Sequence, residues 1–365
     1  MLRVGGVTYC HTANYGTSLQ AYALQQAIEK IEIDGEPCSY KLICLRDCKD
    51  YPERYLERAK FLGNVFRSFN RKRFRRFEDK KIHFRFLKEL KELPGLNREF
   101  DAFVCGSDVI WNPEFNEGLS AFYLDFAEKY AFSYAASFGK DDVPFEKLDK
   151  YADAIGRLRQ IGLREKSAEE IVCRYTRAPV YTVVDPVLLL TGEEWSRIAG
   201  KKRAQQKQIV VYSTHETEEF KGFVEKLRQE TGLPVKRLVW GKTLRSALRS
   251  KVLFIARQPE WLRMIRDAEY VVTNSFHATV FSILFEKKFF TVVHGEKDQG
   301  RNIRMYDFLK QLGLEDRIRN AVPETIEREA PDYTAVMPGL EALRSFSLRF
   351  LRENLEAAAR EKQAE

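Results

Sequence analysis

The stretch Tyr270-Val-Val-Thr-Asn-Ser-Phe-His-Ala-Thr-Val-Phe-Ser-Ile-Leu-Phe285 decides the reading of the fold. Tyr270 to Val272 is an apolar run that predicts a buried strand, and Thr273, Asn274 and Ser275 break it with oxygens suited to a helix N-cap. Ala278, Phe281, Ile283, Leu284 and Phe285 then continue as an apolar helix. Strand, short polar break and helix make the βα unit of a parallel sheet. The unit puts His277 in the first helical turn, just past the carboxyl end of a strand. Free backbone N–H groups and the helix dipole favour anions there, and open α/β sheets collect ligands there. A lone histidine in this place more often caps or packs; a second loop like it near the amino end moves the reading toward function.

The same alternation runs outward in both directions. Strands are predicted at Leu2 to Tyr9, Ser39 to Leu45, Phe100 to Cys105, Tyr130 to Ala136, Ile161 to Leu163 and Tyr181 to Val184, with helices at Thr17 to Lys30, Phe145 to Arg159 and Glu165 to Cys173. After Asp185-Pro186 the pattern resumes. Strands fall at Ile209 to Tyr212, Val235 to Trp240 and Phe289 to Val293, helices at Glu216 to Thr231, Trp261 to Asp267 and Ile303 to Leu312, and a strongly helical segment spans Leu340 to Glu365. The predicted class is α/β, with two βαβ halves flanking a cleft. The expected domains are residues 1–185, 186–330 and a helical segment, 331–365.

At 365 residues, two domains are the natural division, and 44% hydrophobic with 31% charged residues is a globular balance. No apolar run approaches the roughly 20 residues that span a bilayer, and the amino end reads as a first strand rather than a signal peptide, so a cytoplasmic location is expected. Cys38, Cys44 and Cys48 lack zinc-type spacing, while Cys10, Cys105 and Cys173 read as small core residues. No metal is expected on spacing. The net charge is +8, and much of it lies in 51–90, where Arg58, Arg71, Lys72, Arg73, Arg75 and Arg85 interleave with Phe61, Phe74, Phe77, Phe84 and Phe86. That segment reads as one or two amphipathic helices with a solvated basic face. Contact with anionic lipid or a phosphate-bearing acceptor is the next reading, and nucleic acid the last, since no nucleic-acid motif accompanies it.

Three further places carry candidate chemistry. His11-Thr-Ala-Asn-Tyr-Gly-Thr-Ser18 lies between the first strand and helix, where Gly16 permits close backbone approach and Thr17 or Ser18 can cap. Gly106-Ser-Asp108 ends a strand and offers a carboxylate as acid or base, or as a turn residue. Arg164-Glu-Lys166 and Arg301-Asn-Ile-Arg304 each open a helix, where a cation is disfavoured unless it has an anionic partner.

Seven motifs occur in order: Asn14-Tyr-Gly-Thr-Ser-Leu-Gln-Ala-Tyr-Ala-Leu24, Gly106-Ser-Asp-Val-Ile-Trp-Asn112, Ser133-Tyr-Ala-Ala-Ser-Phe-Gly139, Arg164-Glu-Lys-Ser167, Asp185-Pro-Val-Leu-Leu189, Ser275-Phe-His277 and Tyr306-Asp-Phe-Leu-Lys-Gln-Leu-Gly-Leu314. With them the chain, from Val4 to about Arg317, resembles the polysaccharide pyruvyl transferase family. The resemblance implies two Rossmann-like domains arranged as in GT-B glycosyltransferases. It also implies transfer of a pyruvyl group from phosphoenolpyruvate (PEP), a co-substrate with no further cofactor, to two hydroxyls of a surface-glycan sugar, lipid-linked or polymeric. His277 matches the family's cleft histidine and is the first candidate for PEP binding and proton transfer, with Asp108 the second acid/base. Arg164, Lys166, Asn274, Ser275, Arg301 and Arg304 fall on the donor side, and Asn14, Tyr15 and Gly16 on the acceptor side. Some members carry an arginine two places before the histidine; Ser275 stands there, so if that arginine grips PEP, either another cation takes its part or the donor differs. The alternatives are a glycosyltransferase with a nucleotide-sugar donor and a non-catalytic glycan-binding protein.

Overall fold

The computed structural model describes residues 1–51, 72–114, 118–140, 143, 145–202, 206–238, 256–293 and 299–365, with the side chains of 145 and 299–303 left out. Among them the strands are β1 (Arg3–Val7), β2 (Glu32–Ile33), β3 (Glu36–Pro37), β4 (Ser39–Cys44), β5 (Phe84–Phe86), β6 (Ala102–Cys105), β7 (Tyr130–Ala136), β8 (Ile161–Leu163), β9 (Val180–Thr182), β10 (Ile209–Tyr212), β11 (Val235–Leu238), β12 (Tyr270–Thr273), β13 (Lys288–Val292) and β14 (Ile318–Arg319). The longer helices are α1 (Tyr15–Glu29), α2 (72–81), α3 (Gly192–Ala199), α4 (Glu218–Thr231), α5 (Gln258–Arg266), α6 (Phe276–Leu284), α7 (Gln299–Gln311) and α8 (Tyr333–Ala364).

Two parallel sheets organise the molecule. The first has the order β5-β4-β1-β6-β7-β8-β9 and the second β11-β10-β12-β13-β14. β6, β7, β10 and β12 are buried along their whole length, as parallel strands covered on both faces must be, and their sequences are continuous apolar runs for that reason. In each sheet the strand order reverses once. The reversal lies between β1 and β6, paired Val4 to Ala102, and between β10 and β12, paired Ile209 to Tyr270. At such a reversal the connections leave toward opposite sides and open a crevice at the carboxyl ends of the strands. Asn14 to Gly16 follow β1, Asp108 follows β6, and His277 follows β12.

The two halves meet along a dense aromatic seam. Tyr15 of α1 is 1% exposed, stacks on Trp261 of α5 with centroids 5.0 Å apart, and donates to the Ala256 carbonyl at 2.8 Å. Gln258 Nε2 crosses the same seam to Ser18 Oγ (3.2 Å) and the Phe74 carbonyl (3.1 Å). α8 begins on the second half, with Tyr333 donating to the Lys287 carbonyl (2.6 Å), and returns to the first. There Ser347 Oγ accepts from the Val184 N–H (3.0 Å), Asn354 meets Tyr130 (3.2 Å) and Lys362 pairs with Asp101 (3.1 Å).

Several sequence expectations are corrected. The segment 145–159 is not one helix but turns at Phe145–Leu148, Asp149–Tyr151 and Ala152–Arg157, because Tyr151 is drawn into a stack on Tyr123 at 4.1 Å. Glu165 to Cys173 shortens to Lys166–Ala168 and Glu169–Val172, and Cys173 is exposed rather than core. Phe84–Phe86, expected helical, is a strand beside β4, with both rings against His11 at 4.8 and 6.1 Å. The described part of the basic segment turns Phe74 and Phe77 into the core. Three of its cations form ion pairs, Arg73 with Glu260 (3.2 Å), Arg75 with Asp47 (3.1 Å) and Arg85 with Glu99 (2.6 Å), while Lys72, Arg76, Lys80 and Lys81 are exposed, as expected of an amphipathic helix with a solvated basic face. Arg58, Phe61, Arg71 and the rest of 52–71 lie outside the described residues, as do 239 and 240 at the end of the expected β11. No helix among the described residues is long and apolar enough to cross a membrane.

Candidate functional site

The amino-terminal loop is set by Asn14, not by Thr17 or Ser18. Asn14 is the N-cap of α1, and its side-chain oxygen accepts from the N–H groups of Gly16 (2.9 Å) and Thr17 (3.5 Å). Gly16 then lies flat against the imidazole of His277, and a Cβ at this position would sit 2.0 Å from Nδ1. The close approach, more than any backbone angle, requires glycine. Tyr15, one residue earlier, is spent on the seam, so of these two neighbours it is Gly16 that lies against the histidine.

His277 occupies the first turn of α6, and its side chain is 12% exposed. Ser275 is the N-cap residue, but its hydroxyl does not cap; its N–H is taken by Thr273 Oγ1 at 3.0 Å. Asn274 is turned away, with its side-chain oxygen accepting from the Thr214 N–H at 3.0 Å and its amide donating to the His215 carbonyl. Nε2 of His277 lies 3.4 Å from Asp185 Oδ2, close enough for charge but without hydrogen-bond alignment.

Asp185 is the hub that sequence reading did not select. It is 1% exposed and follows β9. It accepts from Arg164 Nη1 (3.0 Å), Ser107 Oγ (3.3 Å) and the Val187 N–H (3.1 Å). Burial alone would push its carboxyl up, but His277, Arg164 and the Val187 N–H together hold it well below the usual carboxylate range. The sequence marked Asp185 twice, as punctuation at Asp185-Pro186 and as the start of the motif Asp185-Pro-Val-Leu-Leu189, but neither signal gave it a role.

Arg164, just past β8, meets Asp185 through Nη1 and Ser137 Oγ (2.8 Å) through Nη2, while its buried Nε has no hydrogen-bond partner among the described residues and lies 3.8 Å from Glu165 Oε2. It positions Asp185 and stacks on the Phe276 ring at 5.0 Å rather than presenting a free guanidinium. Glu165 Oε1 accepts from Ser137 Oγ (2.9 Å) and from the N–H groups of Phe138 (2.8 Å) and Gly139 (3.1 Å), fixing the loop after β7. Lys166 is exposed. Asp108, in a left-handed conformation (φ 73), accepts from Thr17 Oγ1 at 2.6 Å.

Arg304, unlike Arg164, is only half-buried. Its guanidinium reaches over Phe276 (5.7 Å) and beside Gly139, and its Nε is buried with no hydrogen-bond partner among the described residues. Burial, followed by the neighbouring charge of Arg164, pushes its pKa down to about 10. A desolvated cation with unused donors is suited to an anionic ligand. The side chain of Arg301 lies outside the described residues. The site therefore unites Gly16, Asp108, Arg164, Asp185, His277 and Arg304 from both halves, and leaves Tyr15, Lys166 and Asn274 elsewhere.

Comparison with solved structures gives the fold its class. A UDP-N-acetylglucosamine 2-epimerase from Neisseria meningitidis bound to UDP-GlcNAc superposes with a TM-score of 0.52 at 9% identity, over 97% of this chain and 94% of the other. The corresponding enzyme from Rickettsia bellii gives 0.51 at 12% identity, over 98% and 97%. That from Methanocaldococcus jannaschii gives 0.52 at 9% identity, over 93% and 91%. These likenesses establish two Rossmann-like domains of the GT-B type. No curated relative matches the sequence. The family model described as polysaccharide pyruvyl transferase matches residues 14–296, from the cap of α1 through the β12–α6 histidine and beyond β13, and the chain belongs to that family.

Proposed function

We propose that the protein is a cytoplasmic transferase that moves the pyruvyl group of PEP onto two hydroxyls of a sugar in a surface or exopolysaccharide unit, forming a ketal. The observation that carries the reading is the presence, in a member of this family, of a histidine backed by a buried carboxylate beside a half-buried arginine, Arg304, whose Nε has no hydrogen-bond partner among the described residues and whose guanidinium shares the Phe276 ring with Arg164.

PEP brings a carboxylate and a phosphate together, and Arg304 with the α6 N-terminus offers them donors where Ser275 cannot. In the reaction a proton adds to the methylene carbon of PEP to make the methyl group, and one sugar hydroxyl adds to the adjacent carbon. The C–O bond to phosphate breaks, and the second hydroxyl closes the ketal; of the two hydroxyl protons, one balances the new methyl hydrogen and the other leaves with phosphate. His277 is the group to carry these protons, with the Asp185 carboxylate 3.4 Å from its Nε2. Asp108 adds negative charge beside Arg164 and Arg304 and serves as the second acid/base.

Thermal unfolding with PEP, inorganic phosphate or UDP-GlcNAc tests the donor. PEP should raise the midpoint by mass action, more than phosphate does, and Arg304→Ala should remove that rise. A rise with UDP-GlcNAc and none with PEP would replace the reading with a nucleotide-sugar transferase.

A further inference from the structure

The strands β1 and β4 run side by side in parallel, with Gly6 opposite Leu42, so the chain segments leaving them stay neighbours. Cys10 lies three residues past β1, and Cys44 is the last residue of β4. In extended chain consecutive side chains point to opposite faces. His11 breaks that rule with a left-handed backbone (φ 53), rare for a residue other than glycine, and the turn brings its imidazole to the same side as the Cys10 thiol.

Cys10 Sγ and Cys44 Sγ are 2.9 Å apart, Cys44 Sγ is 3.5 Å from His11 Nδ1, and the three ligand atoms all lie within 4.8 Å of one another. The residues are 4%, 0% and 3% exposed. Asp47 reaches the same nitrogen, with Oδ2 3.0 Å from Nδ1, and is itself held by Arg75 at 3.1 Å. On the far side of the ring, Nε2 is buried without a hydrogen-bond partner, and the carboxylates of Glu78 (3.9 Å) and Asp79 (3.6 Å) lie just beyond it. Phe84 and Phe86 cover the ring.

We propose that Cys10, His11 and Cys44, with Asp47 at the fourth corner, bind one divalent metal ion of the zinc class. Two thiolates, an imidazole and a carboxylate form a borderline-soft set that suits Zn²⁺ and does not suit Mg²⁺ or Ca²⁺. Tetrahedral coordination with Zn–S near 2.3 Å and Zn–N near 2.0 Å spaces ligand atoms by about 3.3–3.8 Å, so the two sulfurs open by somewhat under about 1 Å as the ion enters. Asp47, about a third exposed, marks the way in. Glu78 and Asp79 occupy the place of the outer carboxylates that orient a metal-bound histidine through its second nitrogen. Asp47 lies outside the mutually close set of three and turns in from His11 Nδ1 to close the fourth position; with it in place no open position remains, so the ion is structural, anchoring the chain three residues before Asn14. The proposal stands independently of the donor.

The test uses the full chain, isolated in thiol reductant without chelator. Elemental analysis should find close to one zinc per chain. After chelator stripping, Co²⁺ alone should give thiolate-to-cobalt charge-transfer absorption and the intense visible bands of a tetrahedral ion. Cys44→Ser should weaken Co²⁺ binding at least about tenfold and reduce the charge-transfer band, Asp47→Asn should alter the visible bands while keeping it, and Cys173→Ser should change neither. The proposal is overturned if folded wild-type chain takes up neither ion, or if Cys10 and Cys44 are recovered as a disulfide from protein never exposed to oxidant. The wild-type readings decide the matter even where a cysteine variant fails to fold.

Discussion

His11 and His277 occupy equivalent places, each just beyond a strand at the reversal point of its sheet, yet their surroundings are opposite. His11 is enclosed by its own domain: two thiols, Asp47, Glu78 and a pair of phenylalanine rings. His277 stands at the seam, against Gly16 of the other domain, with Asp185 behind it and Arg304 reaching over the neighbouring ring. Location at a strand end gives a histidine access to a crevice. What it does there depends on groups from distant elements, soft ligands in one case and carboxylate with guanidinium in the other.

The sharpest way to break this contrast is His277→Ala. It should lower pyruvyl transfer by about 10²–10⁴-fold, the usual contribution of a positioned acid–base, with the melting temperature little changed; wild-type turnover would reduce both histidines to structural roles. Next, Asp185→Asn should cost about 3–5 kcal/mol of stability in urea unfolding, because Arg164 is left as a buried charge with its main partner neutral. The pH dependence has a definite sign. Asp185 is held below its ordinary range in the folded chain, so its contribution is complete above about pH 4 and is lost as pH falls below that value. The variant should therefore show a flatter acid limb. Gly16→Ala should push the imidazole aside and cost about 10²-fold in rate, through misplacement rather than lost chemistry, while leaving Co²⁺ uptake at Cys10, His11 and Cys44 unchanged. The smallest effect belongs to Lys166→Ala, which should stay within about 0.5 kcal/mol of the parent and keep the PEP-induced shift; loss of that shift would return Lys166 to the donor side.

The βα units around His277 and Gly16 were legible because their apolar runs and polar breaks are local. Asp185 was not, because its importance comes from Arg164, 21 residues earlier, and His277 on another domain. Asn14 could be placed beside the helix but not named as its cap, since Thr17 and Ser18 offer equally good oxygens. The Cys10–His11–Cys44 cluster has no local spacing at all; it exists only because β1 pairs with β4 and His11 turns left-handed. Phe84–Phe86 looked helical because the charged residues around it dominate the pattern, and its pairing with β4 overrode that local preference.

The last helix also determines how the molecule can be taken apart. α8 starts on the second sheet's side at the Lys287 carbonyl and ends against Asp101 beside the first sheet, burying Leu340, Phe350, Leu351 and Leu355 on the way. A chain cut at residue 185 would strip the amino-terminal half of the cover it needs over Tyr130 and Val184 and would leave the carboxyl-terminal half with a long apolar helix face in water. The two halves are thus architecturally separate but not separable: heat should melt them in one transition, and a fragment should regain its shape only when the other is supplied.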